Sequence, residues 1–418
     1  MLYSTNINHP PGLFFDSSML SKPINRAIIH LDLDAFFVSV ECLRDERLKG
    51  IPLIIGGSGG RGVVASCSYE ARKFGVHSAM PTRMALRLCP DAKVISGDME
   101  AYSYQSRLVT DIIRDDAPLF EKSSIDEFYV DVSGMDRFFN TFQWSVELRQ
   151  KIIKNTGLPI SMGLSINKLV SKVATGEYKP NGQKWVKPGN ERNFLAPLHV
   201  SKIPMVGEKT TRFLVDMGIT HVHTLRDMPV KMLEKAFGIN GRALWHKANA
   251  IDHSPVEPYS EQKSISTECT FGQDSIDVKK MKVLLLTMVE KLCHKLRKEQ
   301  KLTSCVTVKI RYANFDTETK QRHIPYTSSD PVIIKEVFDL FDKLYTRRML
   351  LRLVGVRLSH LVHGNYQINL FEDTEESIRL FQALDTIKKK HGVDKVTRAA
   401  SLGMDKRIMM DNNMFSGK

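Results

Sequence analysis

"AIIHLDLDAFFVSVE", residues 27–41, decides the fold because a buried strand turns directly into a helix within it. Its apolar beginning is typical of a core strand, and its last residues have helical spacing. Two carboxylates, Asp32 and Asp34, nevertheless stand at the end of the strand, followed by the rings of Phe36 and Phe37. Acids at the end of a core strand need a partner, such as a bound cation, because burying an unpaired charge is costly.

Strands and helices alternate on the C-terminal side of this stretch. A strong helical pattern over 144–157 separates two strand-like runs, 128–134 and 157–166. The resulting β-α-β-β-α-β order predicts an α/β (α+β) fold with a ferredoxin-like core. The same order of elements recurs between 266 and 363, after a polar linker that contains prolines.

The bulk composition indicates a multidomain protein with a polyanionic partner. The 418 residues include 60 Lys and Arg against 47 Asp and Glu, a formal net charge of +13. A chain of this length is expected to form roughly two to four domains, and its basic charge favours nucleic acid. The six cysteines form no C-x-x-C pair, which is typical of reduced thiols. Without a signal peptide or membrane-spanning run, we expect a cytoplasmic protein with no membrane partner and a loose N-terminal arm, 1–25.

A second acidic pair, Asp126 and Glu127, directly precedes the strand-like run at 128. If that strand lies beside the strand of Asp32, three carboxylates meet, and divalent cations are needed to neutralise them. Oxygen ligands of this kind suit Mg²⁺, and two ions about 4 Å apart would stabilise an in-line phosphoryl transfer. Asp34, just before the helix, is expected to be its N-cap.

Two further segments offer groups for phosphate. Tyr69 and Arg72 are three residues apart, on one face of a helix predicted over 69–74, and an Arg fork suits phosphate oxygens. Lys179 precedes a Pro-Asn-Gly turn that would hold its ammonium group in place. A solvated helix explains the first segment equally well, and a lone lysine in a turn is usually just solvated. Both interpretations therefore depend on the carboxylates.

Five segments together resemble the Y family of translesion DNA polymerases, most closely the bacterial DinB, or DNA polymerase IV, branch. They are HLDLDAFF, SYEARKFGVHSAMP, SSIDEFYVDVSG, SMGLSINKLVSKVATGEYKPNG and IPMVGEKTTRFLVDMGI, and the match runs in order from about residue 26 to 371. The resemblance implies a DNA-directed DNA polymerase that extends primers across damaged template with low fidelity. One departure is Cys67-Ser68, where many relatives have Ala-Asn.

The resemblance also implies a right-hand architecture in which the chain visits the palm twice. Its domains are a palm (26–38 and 98–190), fingers (39–97), a helix-hairpin-helix thumb (191–260), a linker (261–265), a β-α-β-β-α-β little finger (266–363) and a C-terminal tail (364–418).

The resemblance implies a role for each candidate residue. The ligands of two Mg²⁺ ions fall on four positions: Asp32, the Leu33 carbonyl, Asp126 and Glu127. The contacts to the triphosphate of the incoming deoxynucleotide fall on three positions: Tyr69, Arg72 and Lys179. Phe37 falls on the steric gate, a ring that leaves no room for a ribose 2′-hydroxyl, whereas Phe36 is expected to pack in the core.

Contacts to primer-template DNA are expected in two regions. In the thumb, residues 206–209 would form a hairpin whose backbone N–H groups hold a phosphate, with Gly207 and Lys209 in contact. In the basic little finger, the candidates for phosphate contacts are Lys263, Ser264, Lys309 and Arg311. Binding through phosphates implies little sequence specificity and strong salt dependence.

A short motif after the little finger indicates a protein partner. Gln367, Leu370 and Phe371 resemble the peptide by which bacterial polymerases bind the sliding β-clamp, with two apolar anchors in a polar segment. An amphipathic helix predicted over 376–392 would then pack back on the body or bind a partner. We expect the protein to be a monomer.

Two other classes of function remain as alternatives. One is a non-catalytic protein that binds DNA and the clamp, which the presence of all three carboxylates and all three phosphate candidates disfavours. The other is a different two-metal enzyme with a palm-like core, such as a nucleotide cyclase. The hairpin and the basic C-terminal unit disfavour it, because a cyclase has no use for a DNA duplex.

Overall fold

The computed structural model describes residues 26–57, 59–364, 374–392 and 395–401. The chain divides into two compact units, the first formed by 1–34 and 105–258, and the second by 35–104 and 259–418. The predicted N-terminal arm and the clamp-binding motif at 367–371 lie outside the described residues.

The helices and strands alternate along both units. The described strands are β1 (Ile28–Leu33), β2 (Leu53–Gly56), β3 (Val64–Cys67), β4 (Lys93–Ile95), β5 (Phe120–Lys122), β6 (Glu127–Asp131), β7 (Ile160–Ser165), β8 (Gln183–Trp185), β9 (Ser264–Ser275), β10 (Lys301–Tyr312), β11 (Thr317–Thr327) and β12 (Leu351–His363). The described α-helices are α1 (Phe36–Arg44), α2 (Tyr69–Arg72), α3 (Thr82–Leu88), α4 (Met99–Asp116), α5 (Thr141–Thr156), α6 (Lys168–Glu177), α7 (Glu191–Leu195), α8 (Glu208–Asp216), α9 (Val222–Asp227), α10 (Val230–Phe237), α11 (Ile239–Ala248), α12 (Val278–Lys298), α13 (Asp330–Leu344) and α14 (Thr374–His391).

The first unit is built on a five-stranded sheet with the order β5-β6-β1-β7-β8. Strand β1 lies in its middle and pairs antiparallel with β6 and β7. Its side chains Ile28, Ile29 and Leu31 are fully buried, which explains its apolar sequence. The order β5-β6-β1-β7 within this sheet is that of a ferredoxin-like sheet, so the predicted fold class is confirmed. Helix α5 ends at Thr156 and is capped by Gly157, whose φ of 71° is the left-handed conformation that glycine adopts at low cost.

A group of short helices, α7 to α11, completes the first unit around a small apolar core that includes Leu214, Val222, Leu233 and Leu244. The predicted helix-hairpin-helix differs in one respect. The element before the hairpin is a single 3₁₀ turn, Val200–Lys202, and only the element after it, α8, is an α-helix.

The second unit contains a small three-stranded sheet, β3-β2-β4. Cys67 and Ser68 at the end of β3 are both buried. The Ser68 hydroxyl accepts a hydrogen bond from the Ala71 N–H, which caps α2, and another from the Leu53 N–H. The unusual pair therefore serves the packing of this unit. Helix α2 is shorter than predicted and ends at Arg72.

The second unit also contains a four-stranded sheet, β11-β10-β12-β9, covered by α12 and α13. Helix α14 packs against α12: Phe381 is 4% exposed and lies under the Arg297 guanidinium, 4.9 Å from its ring centre. Asp385 accepts hydrogen bonds from His294 at 2.8 Å and Arg297 at 2.7 Å. The predicted amphipathic helix thus packs back on the protein. Among the described residues, none of the helices combines the length and apolar character needed to cross a bilayer.

Candidate active site

The three predicted carboxylates lie around the paired ends of β1 and β6. Asp32 is directly opposite Glu127 in the antiparallel register, so both side chains point to the same face of the sheet. Asp126 immediately precedes β6, and its carbonyl accepts a hydrogen bond from the Leu33 N–H at 3.0 Å. Its carboxylate accepts another from the Ser124 hydroxyl at 2.5 Å. Asp126 lies in the turn and Glu127 in the strand, and the charges of both act on Asp32.

Two lysines neutralise part of this negative charge. Lys179, after α6, forms an ion pair with Asp32, and Lys172, within α6, lies 2.6 Å from the Glu127 carboxylate. Burial raises the pKa of Asp32 to about 7; Lys179 opposes this shift, and the charges of Glu127 and Asp126 add to it. A divalent cation bound there would favour the charged form of this buried carboxylate and offset the repulsion from its neighbours.

His30 lies on the same face of β1 as Asp32, two residues earlier. The ring is 1% exposed, and its Nδ1 lies 2.9 Å from the Thr175 hydroxyl. Burial, together with the nearby charges of Lys172 and Lys179, holds the pKa of His30 well below its usual value. His30 and Lys172 were not predicted from the sequence, although the period of two along β1 was a signal for His30.

The prediction that Asp34 caps α1 is wrong. The N-cap position belongs to Ala35, which has no side-chain hydrogen bond to offer. Asp34 is 1% exposed and accepts hydrogen bonds from the Ser161 hydroxyl at 2.8 Å and the Asn181 N–H at 2.7 Å. A buried carboxylate takes the donors that satisfy it best, and here these come from β7 and from the turn after Lys179. Asp34 therefore fixes that turn.

We expect Asp34→Ala to lower the free energy of unfolding by about 3 kcal/mol, since it removes two hydrogen bonds to a buried charge. Urea denaturation of Asp34→Ala, Ser161→Ala and the double variant would measure the effect. Because the two side chains touch, the double variant should lose at least about 0.5 kcal/mol less than the sum of the single losses. Strictly additive losses would contradict the assigned contact.

Phe37, the predicted steric gate, and its neighbour Phe36 belong to the second unit. Phe36 is buried, as expected of a core ring, whereas Phe37 is partly exposed. The Phe37 ring stacks on Tyr102 with 4.4 Å between centres and 13° between planes. Tyr102 is itself fully buried and donates a hydrogen bond to Glu41 at 2.7 Å. Phe37 thus presents one face while a fixed ring supports the other.

Tyr69 and Arg72, the two phosphate candidates of the second unit, lie side by side on α2. The Arg72 guanidinium is 4.9 Å from the Tyr69 ring centre, within cation–π range. Its Nε donates a hydrogen bond to the Cys67 carbonyl at 3.3 Å. Both contacts orient the guanidinium.

The candidate DNA contacts differ in how free they are to bind a phosphate. Helix α8 begins at Glu208 after Gly207, and no side chain caps it. A Cβ on Gly207 would meet no atom within 4 Å, and Lys209 is exposed.

The candidates around the four-stranded sheet are less free. Lys309 pairs with Glu268 at 2.8 Å, and Arg311 donates a hydrogen bond to Thr317 at 2.8 Å. Ser264 begins β9, directly after Lys263. To bind a phosphate, Lys309 would have to leave Glu268 and Arg311 would have to leave Thr317.

Known proteins resemble this chain over most of its length. Residues 31–176 match the profile of the impB/mucB/samB family, and residues 262–370 match that of its C-terminal domain. A DNA polymerase IV of Dehalococcoides mccartyi is 37% identical over 375 residues, which cover 89% of this chain and 96% of that protein. A Y-family DNA polymerase chimera of solved structure has a TM-score of 0.72 and 27% identity, covering 81% of this chain and 100% of that one. An insertion ternary complex of Dbh DNA polymerase has a TM-score of 0.60 and 26% identity, with the same coverage.

Proposed function

Because the chain belongs to the Y family of DNA polymerases, we propose that it transfers nucleotides with two Mg²⁺ ions held at Asp32, Asp126 and Glu127. The protein is a DNA-directed DNA polymerase whose template-directed synthesis bypasses damage. The observation that carries the metal proposal is the register of β1 and β6, which sets Asp32 opposite Glu127. The proposal includes the division into palm, fingers, thumb, linker, little finger and C-terminal tail that is expected from the sequence.

The donor chemistry of the carboxylate cluster fits Mg²⁺. The carboxylates of Asp32, Asp126 and Glu127, with the Leu33 carbonyl, offer only oxygen atoms, the ligands that this ion prefers. Bound there, Mg²⁺ would stabilise the charge on the attacking and leaving oxygens of nucleotidyl transfer. Lys179 and Lys172 now hold Asp32 and Glu127 as ion pairs and would release them to a stronger cation.

The remaining roles follow from the positions that these residues share with the family. Tyr69, Arg72 and Lys179 would bind the triphosphate of the incoming deoxynucleotide, and Phe37 would exclude ribonucleotides. The primer-template would be held through phosphates by the beginning of α8, around Gly207 and Lys209. The four little-finger candidates would hold it in the same way: Lys263, Ser264, Lys309 and Arg311. Contacts of this kind position the duplex without reading its sequence. The low fidelity expected of the family belongs to the same proposal.

A primer-extension assay with Mg²⁺, four deoxynucleotides and templates with and without an abasic site tests this function. We expect extension on both templates. Retained DNA binding without extension would instead favour the non-catalytic alternative, and a cyclic nucleotide product would favour a cyclase.

A sliding clamp is the proposed protein partner, bound through Gln367, Leu370 and Phe371. Changing Leu370 and Phe371 together to Ala should reduce the clamp-dependent gain in product length at least about tenfold, because both apolar anchors of the peptide are lost. Extension without the clamp should be unchanged. Leu380→Ala is the matched control, since this leucine is exposed on α14. Equal stimulation of all three proteins would contradict the assignment.

We also infer a monomer that acts in the cytoplasm. All six cysteines are free thiols, which supports a reducing compartment. Sedimentation velocity without DNA should give a single species of monomer mass.

A further inference from the structure

We propose that His30, Asp32 and Glu127 form a binding site for a transition-metal dication, Zn²⁺ or Mn²⁺, with Nε2 of His30 as a ligand. The site uses a nitrogen that the oxygen-only Mg²⁺ sites leave out. It shares two carboxylates with them, so the two classes of metal would compete.

The backbone brings the three side chains to one face of the sheet. His30 and Asp32 are two residues apart on β1, and Glu127 is paired with Asp32 across to β6. One ligand atom from each residue lies within 4.8 Å of the other two. Tetrahedral ligands bound at about 2.1 Å are about 3.4 Å apart, so side-chain movements of about an ångström would close the site.

The hydrogen bonds of His30 indicate which nitrogen carries its proton. The Thr175 hydroxyl has one hydrogen and lies within reach of two carbonyl acceptors, Ser171 at 2.9 Å and His30 itself at 3.1 Å. We assign this hydrogen to a carbonyl, so that the hydroxyl accepts from Nδ1–H and Nε2 keeps a lone pair. In metal-binding histidines, the ring nitrogen that does not bind the metal regularly donates a hydrogen bond to another group, and this bond fixes the tautomer.

The surroundings of Nε2 of His30 are unusual for a nitrogen that binds nothing. Nε2 is buried and has no hydrogen-bond partner within the described part of the chain, whereas buried polar atoms are nearly always bonded. The ring is held in place by Tyr129, whose centre lies 4.7 Å away. A fixed lone pair beside two carboxylates is a set of one nitrogen and two oxygen donors.

The cations that now neutralise the site are able to leave it. Lys172 and Lys179 pair with Glu127 and Asp32, and their side chains keep 34% and 23% of their exposure to solvent. Both are flexible, so they can turn outward when a dication takes over the carboxylates.

The mixed donor set determines which metal gains from His30. Imidazole suits Zn²⁺ and other transition metals, and affinity for a nitrogen-containing site rises from Mn²⁺ to Zn²⁺. Mg²⁺ gains little from a nitrogen ligand because it prefers oxygen. Loss of His30 should therefore weaken Zn²⁺ and Mn²⁺ binding and leave Mg²⁺ binding nearly unchanged.

Pulsed electron paramagnetic resonance of the full-length protein with one equivalent of Mn²⁺, without DNA or nucleotide, tests the ligand directly. We expect nitrogen coupling to Mn²⁺ in the wild type and its loss in His30→Asn. The control is His221→Ala, because His221 lies near His199 and His223 on the surface, with ring centres 6.3 and 5.7 Å away. Coupling absent from the wild type, or lost only in His221→Ala, would overturn the proposal.

Competition with a coloured chelator provides a second measurement. Zn²⁺ affinity should fall at least about tenfold in His30→Asn, with Mg²⁺ affinity within about twofold. Thr175→Val, which removes the partner of Nδ1 and keeps the shape of the side chain, should weaken Zn²⁺ in the same direction. Equal losses for Zn²⁺ and Mg²⁺ would assign His30 a structural role instead. Neither measurement involves polymerase activity, so failure here is distinguishable from failure of the proposed function.

Discussion

Changing Asp126 or Glu127 to alanine is expected to lower the rate of primer extension by at least about a thousandfold, equivalent to about 4 kcal/mol of transition-state stabilisation. Each substitution removes one of the few anionic ligands of the proposed Mg²⁺ ions. Without those ions, little remains to stabilise the charge that develops on the transferring phosphate. Single-turnover extension of a labelled primer at saturating deoxynucleotide would measure the change.

The same sheet offers a matched control. Glu121 on the edge strand β5 pairs with Lys168 at 2.6 Å, a geometry close to that of Glu127 with Lys172. Glu121→Gln should therefore keep the extension rate within a few-fold, whereas Glu127→Gln should lose it. Full activity in Asp126→Ala or Glu127→Ala would remove both residues from the metal site. Equal losses in Glu121→Gln and Glu127→Gln would show that ion pairs of this sheet act through stability instead.

The sequence predicted the strand of Asp32, because an apolar run ending in acids is a local pattern. It also predicted that Asp126 and Glu127 would meet Asp32 if their strands were neighbours. It gave the wrong partner for Asp34, since helix capping is judged from adjacent residues. The actual partner, Ser161, is 127 residues further along the chain. A buried carboxylate is governed by the donors that the tertiary fold supplies, and local propensity does not contain them.

The strand order of the second sheet was equally beyond the sequence. The four strands β1, β5, β6 and β7 and the four strands β9 to β12 follow one another with helices in the same β-α-β-β-α-β order. In the first sheet the leading strand, β1, lies in the centre, whereas in the second the leading strand, β9, lies at an edge beside β12. A helical connection spans either arrangement, so hydrophobic periodicity predicts the elements without their neighbours. His30 was missed for a related reason: its importance depends on Glu127, which joins it only through the pairing of β1 with β6.

Changing Phe37 to alanine is expected to reduce discrimination against ribonucleotides by at least about a hundredfold, or about 2.7 kcal/mol. In the proposed gate, the exclusion is steric, because a phenyl ring against the sugar leaves no space for a 2′-hydroxyl. The methyl side chain of alanine would leave a gap that the hydroxyl can enter. The ring is well suited to this role, because Tyr102 stacks behind it at 4.4 Å and prevents it from yielding. The measurement is the ratio of kcat/KM for a deoxynucleotide and for the corresponding ribonucleotide, opposite the same template base.

Two neighbouring rings separate a gate from a general effect on packing. Phe36→Leu changes the buried ring of the pair, and Tyr102→Phe removes the hydroxyl that bonds Glu41 while keeping the supporting ring. Both should preserve discrimination within a few-fold, even if stability falls. If Phe36→Leu admits ribonucleotides as readily as Phe37→Ala, the selectivity comes from the rigidity of the whole aromatic group. If Phe37→Ala leaves the ratio unchanged, the sugar is checked elsewhere, and Phe37 serves only to pack against Tyr102.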